Sequence, residues 1–257
     1  MRKLWQNLVL PLCFWLLVWE GAARLVVLGV EMGGELLLPG PGAVVSTLSM
    51  LIGEKWFWVS ALLSLGRMAA GIAIGSLLGA VLAWATMAWR WCDALFSPAI
   101  RVVRAVPVAS FILLVLLWTD RNWVPAVISA LMVLPVVWAA TRQGLAAVDP
   151  QLLELAKIYR LDRRRQVKLV WLPAVRPAFV TGLATAMGLA WKAGVAAEVL
   201  CQPKRAIGTE IFRAKGALDT PGLFAWTLVV IVLSLLMERL TRFILGKGAG
   251  LCWDLNG

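Results

Sequence analysis

Three ionisable side chains, Arg67, Lys192 and Glu198, stand inside long apolar runs of this sequence. A charge in such a run is costly and marks a functional position by default. The chemistry open to these residues is electrostatic. Lys192 and Glu198 are six residues apart, about 240° around a helix, so they do not share a face. Lys192 either lines a path that favours an anion, pairs with another segment, or snorkels to an interface. Arg67 and Glu198 are a candidate pair between helices, which the sequence alone does not test. Trp191, beside Lys192, either gates a path or packs. The 257 residues include no histidine. That removes His-metal sites and Ser-His-Asp or Cys-His catalysis. Cys13, Cys92, Cys201 and Cys252 have no metal-ligand spacing and imply no disulfide framework. No catalytic residue and no metal site is expected.

The elements that must position these charges are membrane spans. Hydrophobic residues make up 61% of the chain and charged ones 15%, against roughly 45–50% and 25% in average soluble domains. The composition is that of an all-α polytopic membrane protein. A span needs about 20 mainly apolar residues, and six stretches qualify: 5–29, 57–88, 94–118, 123–146, 168–200 and 221–245. The first follows Met1-Arg2-Lys3 and outlasts a signal h-region of about 7–15 residues, so it reads as a retained extra span. No polar linker or internal repeat divides the chain, so 1–257 reads as one domain with a core over about 57–245.

The net charge is +11. No basic run is interleaved with aromatics on a polar scaffold, so no nucleic acid partner is expected. The lipid bilayer explains the charge instead. With an internal N-terminus, Arg90, Arg101, Arg104, Arg142, the 157–168 cluster, Arg239, Arg242 and Lys247 fall on the cytoplasmic side, as the positive-inside rule requires. Both termini are then cytoplasmic. Lys204, Arg205, Arg213 and Lys215 fit this scheme poorly, because the 202–219 loop lies outside.

The second span carries Gly71, Gly75 and Gly79, a ridge of missing side chains that lets another backbone approach closely. The spacing does not identify the partner helix.

One charged segment interrupts the apolar runs at 149–173. Asp149-Pro150 is a strong helix start, with Asp as N-cap and Pro at the first helical position. Leu152, Leu155, Ala156 and Tyr159 then share one face at i, i+3, i+4, i+7 spacing. Leu161-Asp162 breaks the pattern, Arg163-Arg164-Arg165 begins the climb into the next span, and Pro173 and Pro177 bend that climb. Two readings compete. One is an interfacial helix anchored by arginines to anionic headgroups. The other is a docking helix for a soluble partner.

The spacing resembles the EAA signature of ATP-binding-cassette (ABC) importer permeases: Glu-Ala-Ala, three residues, Gly, nine residues, Ile-x-Leu-Pro. Glu154, Ala156, Val170, Leu172 and Pro173 occupy the matching positions. Leu155 replaces the second residue, and Arg160 stands where the family has Gly. Further along the chain, Leu38-Pro39-Gly40-Pro41, "SLGRMAAG" at 64–71, "RAVP" at 104–107 and "AWKAGVAAE" at 190–198 are similar to the nitrate/sulfonate/taurine branch. After Pro107 the usual second proline and later Phe-Gly are absent, and Trp118-Thr119-Asp120 stands in place of the latter.

The resemblance implies a MetI-like permease with about six transmembrane helices in the bacterial inner membrane. It implies a second permease copy, a homodimer by the habit of the branch, two separate ABC ATPase subunits and an extracytoplasmic substrate-binding protein. This chain has no GxxxxGK[ST] loop. It would bind no cofactor itself, with ATP and Mg on the partner ATPase. Glu154, Leu155, Ala156, Tyr159, Arg160, Leu161, Asp162, Leu172 and Pro173 would form the ATPase coupling region. Leu155, Ala156 and Tyr159 would be its buried knob, oriented by Glu154 and Arg160. Arg67, Trp191, Lys192 and Glu198 are the candidate path residues. The branch handles nitrate, sulfonates, taurine, bicarbonate and some vitamin precursors, and Lys192 favours a small anion. The rival is an ATP-independent secondary transporter, which would leave the 154–173 segment unexplained.

Overall fold

The computed structural model describes residues 10–29 and 37–247, and helix is the only regular secondary structure among them. The expected cytoplasmic N-terminus and Cys252 lie outside the described residues. Ten helices follow in order: α1 Leu10–Gly29, α2 Pro41–Gly53, α3 Lys55–Ala88, α4 Arg90–Ala105, α5 Val108–Leu116, α6 Val124–Ala146, α7 Pro150–Ile158, α8 Arg163–Cys201, α9 Ile207–Gly216 and α10 Thr220–Lys247. Four of them, α3, α6, α8 and α10, are long and apolar enough to cross a membrane, and the bent pair α4–α5 makes a fifth if counted as one span.

That pair corrects the expected span at 94–118. The two helices meet at 107°. Val106 is extended, with φ −75° and ψ 134°, ahead of Pro107. Proline disfavours helical geometry in the residue before it and has no N–H to continue the ladder, so the break falls here. The apolar run is continuous in sequence but changes direction in space.

The core is built on α6, which packs along α3 on one flank and α8 on the other. Gly71, Gly75 and Gly79 of α3 lie against the backbone of α6. A Cβ at Gly75 would sit 2.5 Å from the Ala130 carbonyl oxygen, and one at Gly79 would sit 2.7 Å from that of Leu134. On the other flank, a Cβ at Gly144 of α6 would come within 2.9 Å of Val175 Cα on α8. Ser129 crosses the second seam, donating to the Ala190 carbonyl at 3.2 Å. The glycine ridge therefore has its partner, α6.

Aromatic side chains close the end of the bundle where α3 begins. Phe57, Met68, Trp191, Ile207 and Trp226 are buried together, with the Phe57 and Trp226 rings 4.9 Å apart. Helix α1 is largely exposed. It touches the core through Trp19, which donates to the Pro39 carbonyl at 3.1 Å and stacks on Phe224.

Within α8, Val167–Trp171 forms a π-helical turn just before Leu172-Pro173. Pro173 cannot donate to the turn behind it, and a widened turn absorbs the mismatch. Overpacking a well-filled seam costs about 1–3 kcal/mol. Gly75→Val is therefore expected to destabilise the purified chain by about 2 kcal/mol or more, read as a lowered unfolding midpoint in detergent. Gly66→Val, at a position with open space around it, should leave the midpoint unchanged.

Candidate functional site

Helix α7 follows α6 directly and is capped at both ends. Asp149 Oδ1 accepts from the Gln151 amide at 2.8 Å, and Pro150 opens the first turn. At the other end the Leu161 amide reaches back to the Ala156 carbonyl at 2.9 Å, and the Arg160 amide to that of Lys157 at 3.0 Å. This pair of bonds is a Schellman motif, which needs a left-handed residue at its penultimate position. Arg160 is that residue, with φ 47°. The glycine of the EAA signature thus has a backbone reason, and Arg160 occupies the same geometry at a steric cost. Gln166 Nε2 fixes the turn from beyond it, donating to the Leu161 carbonyl at 3.0 Å. Asp162 lies 3.6 Å from Arg165.

The apolar face of α7 is split. Ala156, 3% exposed, packs inward with Val148 and Val170, bordered by Leu153, Leu161 and Trp171. It was expected to enter a partner's groove; its methyl instead anchors the helix to its own chain. The outward row is Leu152, Leu155, Ile158 and Tyr159, the last two 73% and 75% exposed. Ile158 escaped the sequence reading because Ala156 was placed on the outer face, which rotated the stripe. Glu154 and Arg160 are exposed beside this row, and Leu172 and Pro173 are exposed beyond it.

At the far end of α8, some 28 residues and roughly 40 Å from Val170, lies a buried polar cluster. Glu198 is 0% exposed. Its Oε2 accepts from Ser64 Oγ at 2.9 Å and from the Gly208 amide at 3.1 Å. Its Oε1 lies 3.7 Å from Arg67 Nη1. Arg67 also donates to the Lys204 carbonyl at 2.9 Å and the Arg205 carbonyl at 3.3 Å. The Ile207 amide donates to Ser64 Oγ at 3.0 Å. One carboxylate and one guanidinium thus bind α3, α8 and the start of α9. Ser64, one turn before Arg67 on the same helix face, was missed as a partner; the i, i+3 spacing was the available signal.

Of the expected path residues, the structure brings Arg67 and Glu198 together and separates the others. Trp191 is buried in the core and donates to the Val230 carbonyl at 3.0 Å. Glu198 is consumed by the cluster. Both are enclosed within the chain. Lys192 is exposed.

A second ion pair ties the bent pair to α6. Arg142 makes a two-point contact with Asp93, whose Oδ1 also accepts from Ser97 Oγ at 2.5 Å. Arg142 also sits 5.4 Å from the centre of the Trp138 ring, and Trp138 Nε1 donates to Thr86 at 3.1 Å. This network lies at the α7 end of α6. At the opposite end, the backbone and side-chain amides of Asn122 both donate to Asp120 Oδ1 at 2.8 Å, which holds that carboxyl below its usual range. Asn122 Oδ1 in turn accepts from the Lys204 amide at 3.0 Å.

Residues 71–247 match the family of binding-protein-dependent transport system inner membrane components. The chain belongs to this family. It is 25% identical over 240 residues to a putative aliphatic sulfonates transport permease protein of Bacillus subtilis, covering 93% of this chain and 84% of that one. A bicarbonate transport system permease protein of Synechococcus elongatus is 25% identical over 191 residues, covering 73% and 68%. A riboflavin transport system permease protein of Chloroflexus aurantiacus is 25% identical over 249 residues, covering 92% and 90%. The fold matches the crystal structure of an amino acid ABC transporter with histidines, with a TM-score of 0.62 and 18% identity over 79% of this chain and 96% of that one.

The protein is therefore an ABC permease, a membrane-embedded transport component and not an enzyme. Two substitutions probe its ends. Relieving a left-handed non-glycine residue is worth about 1 kcal/mol, so Arg160→Gly is expected to raise the permease's unfolding free energy by that amount. Glu198→Leu leaves the Arg67 charge without its carboxylate and should cost about 3–5 kcal/mol, with Glu198→Gln costing less. Thermal unfolding of the purified permease checks both.

Proposed function

We propose that this permease forms half of the translocation path of an importer for a small anion, and that ABC ATPase subunits drive it through the outward face of α7. The observation that carries this reading is the row Leu152, Leu155, Ile158 and Tyr159, standing exposed in a segment otherwise dense in arginine. A headgroup anchor needs no fixed geometry. This helix is capped at both ends and pinned through Ala156, as a part that must transmit displacement would be. Helical peptides that dock in grooves present apolar anchors at such spacings.

In this reading two ATPase subunits hold ATP and Mg, a second copy of the permease completes the path as a homodimer, and an extracytoplasmic binding protein delivers substrate. Closure of the ATPase pair draws the two α7 helices together, and the displacement passes into α6 and α8. Lys157, Arg160 and Arg163–Arg165 cluster at the α7 end, which supports placing that end and both termini in the cytoplasm of a bacterial cell. Lys192, exposed on the protomer, is the proposed anion contact on the path, with Arg67 as part of its outer support. The names of the sulfonate and bicarbonate relatives favour an anion. The riboflavin relative, which spans 92% of the chain, supports a vitamin-type substrate as the second reading.

Co-purification tests the proposal. Wild-type permease extracted gently with nucleotide present is expected to bring an ABC ATPase with it. Removing an interface anchor typically costs about 2 kcal/mol or more, so Tyr159→Asp and Ile158→Asp should reduce the recovered ATPase by about tenfold or more while the permease stays folded. Glu154→Lys should act in the same direction. An intact wild-type chain that never brings an ATPase would favour an ATP-independent transporter.

A further inference from the structure

Three of the four basic residues that violate the charge asymmetry, Lys204, Arg205 and Arg213, converge on one place. Between the first turns of α3 and the segment 204–213 lies an open cavity of about 550 Å³, lined by Trp56, Ser60, Lys204, Arg205, Glu210 and Arg213. It holds three cations and one carboxylate, and that carboxylate is already bridged to Arg213 at 2.8 Å. Lys204 and Arg205 make no ion pair within 4.0 Å among the described residues. Their charges are free to meet a ligand.

The backbone beneath them is fixed. Arg67 holds both of their carbonyls, Asn122 holds the Lys204 amide, and Arg205 is kept left-handed at φ 52°. Ser60 forms part of the wall. It is 1% exposed overall and lines the cavity from the first turns of α3. A recessed hydroxyl on a cationic cavity wall is placed to donate to an anion that enters it. Trp56, 40% exposed, adds an aromatic face. Positive charge, a recessed hydroxyl and an indole together suit an anion with a short organic body.

We propose that this cavity binds a small organic oxyanion, a sulfonate or a carboxylate, at the end of the permease opposite α7. An acidic protein surface would reach Lys204 and Arg205 but not the recessed Ser60, which is why the small ligand is favoured. The inference rests on the reading of the chain as an anion permease, and places a binding site for the anion at its outer end.

The test is calorimetric titration of the purified full-length permease, with any bound ATPase retained, using sodium ethanesulfonate as the probe. Wild type is expected to bind saturably. Loss of charge-assisted hydrogen bonds should weaken binding by about tenfold or more in the Lys204→Gln, Arg205→Gln double variant. Ser60→Ala should weaken it by a few-fold, and Lys215→Gln, on α9 but outside the cavity, should not. No saturable binding to folded wild type, or binding that the double variant and Ser60→Ala leave unchanged, overturns the proposal. Binding lost in the double variant but kept in Ser60→Ala overturns it too, in favour of a diffuse surface attraction. The amount of ATPase retained in the same samples reports separately on the permease reading.

Discussion

Backbone meets backbone along both flanks of α6, and lipid supplies no hydrophobic force to hold looser packing together there. Close approach is the condition on which the fold rests. Gly71, Gly75 and Gly79 permit it on the α3 side, and Gly144 permits it on the α8 side. Once three helices are fixed this tightly, displacement at one end of α6 or α8 cannot be absorbed by side-chain rearrangement along the way. The pair behaves as a stiff unit, and the remaining elements attach to its two ends.

The two ends solve different problems with the same economy of polar groups. At the α7 end, a Schellman turn, an alanine anchor and the Asp93–Arg142 pair hold short helices at fixed angles to α6. At the other end, a buried Glu198 requires compensation, and Ser64, Gly208 and Arg67 provide it. That compensation orders the 203–208 segment, which presents Lys204 and Arg205. An ion pair that neutralises a buried charge thereby also sets the shape of the cavity lined by Lys204 and Arg205. The 107° break at Pro107 turns α5 away from the direction of α4.

Much of this was legible in the sequence, and the residues show why the rest was not. Apolar runs marked α3, α6, α8 and α10 to within a few residues, because burial in lipid leaves long, uninterrupted signals. The Asp149-Pro150 start was equally clear, since capping is local chemistry. The break at Val106-Pro107 was hidden inside a run whose composition suits one span. The inward turn of Ala156 was hidden because a small residue fits either face of a short helix, and only the contact with Val148 and Val170 decides. Arg67 and Glu198 were visible as costly charges. Their pairing joins residues 131 positions apart and needed the fold to show it.

The outward face of α7 is the proposed coupling surface. Site-specific photo-crosslinking tests it most directly, with a photoreactive amino acid placed at Tyr159 in one sample and at Ala156 in another, in intact membranes. The Tyr159 probe is expected to capture an ABC ATPase, and the Ala156 probe only its own chain. Capture of lipid alone from Tyr159, with the permease folded and the ATPase present in the membrane, would contradict it.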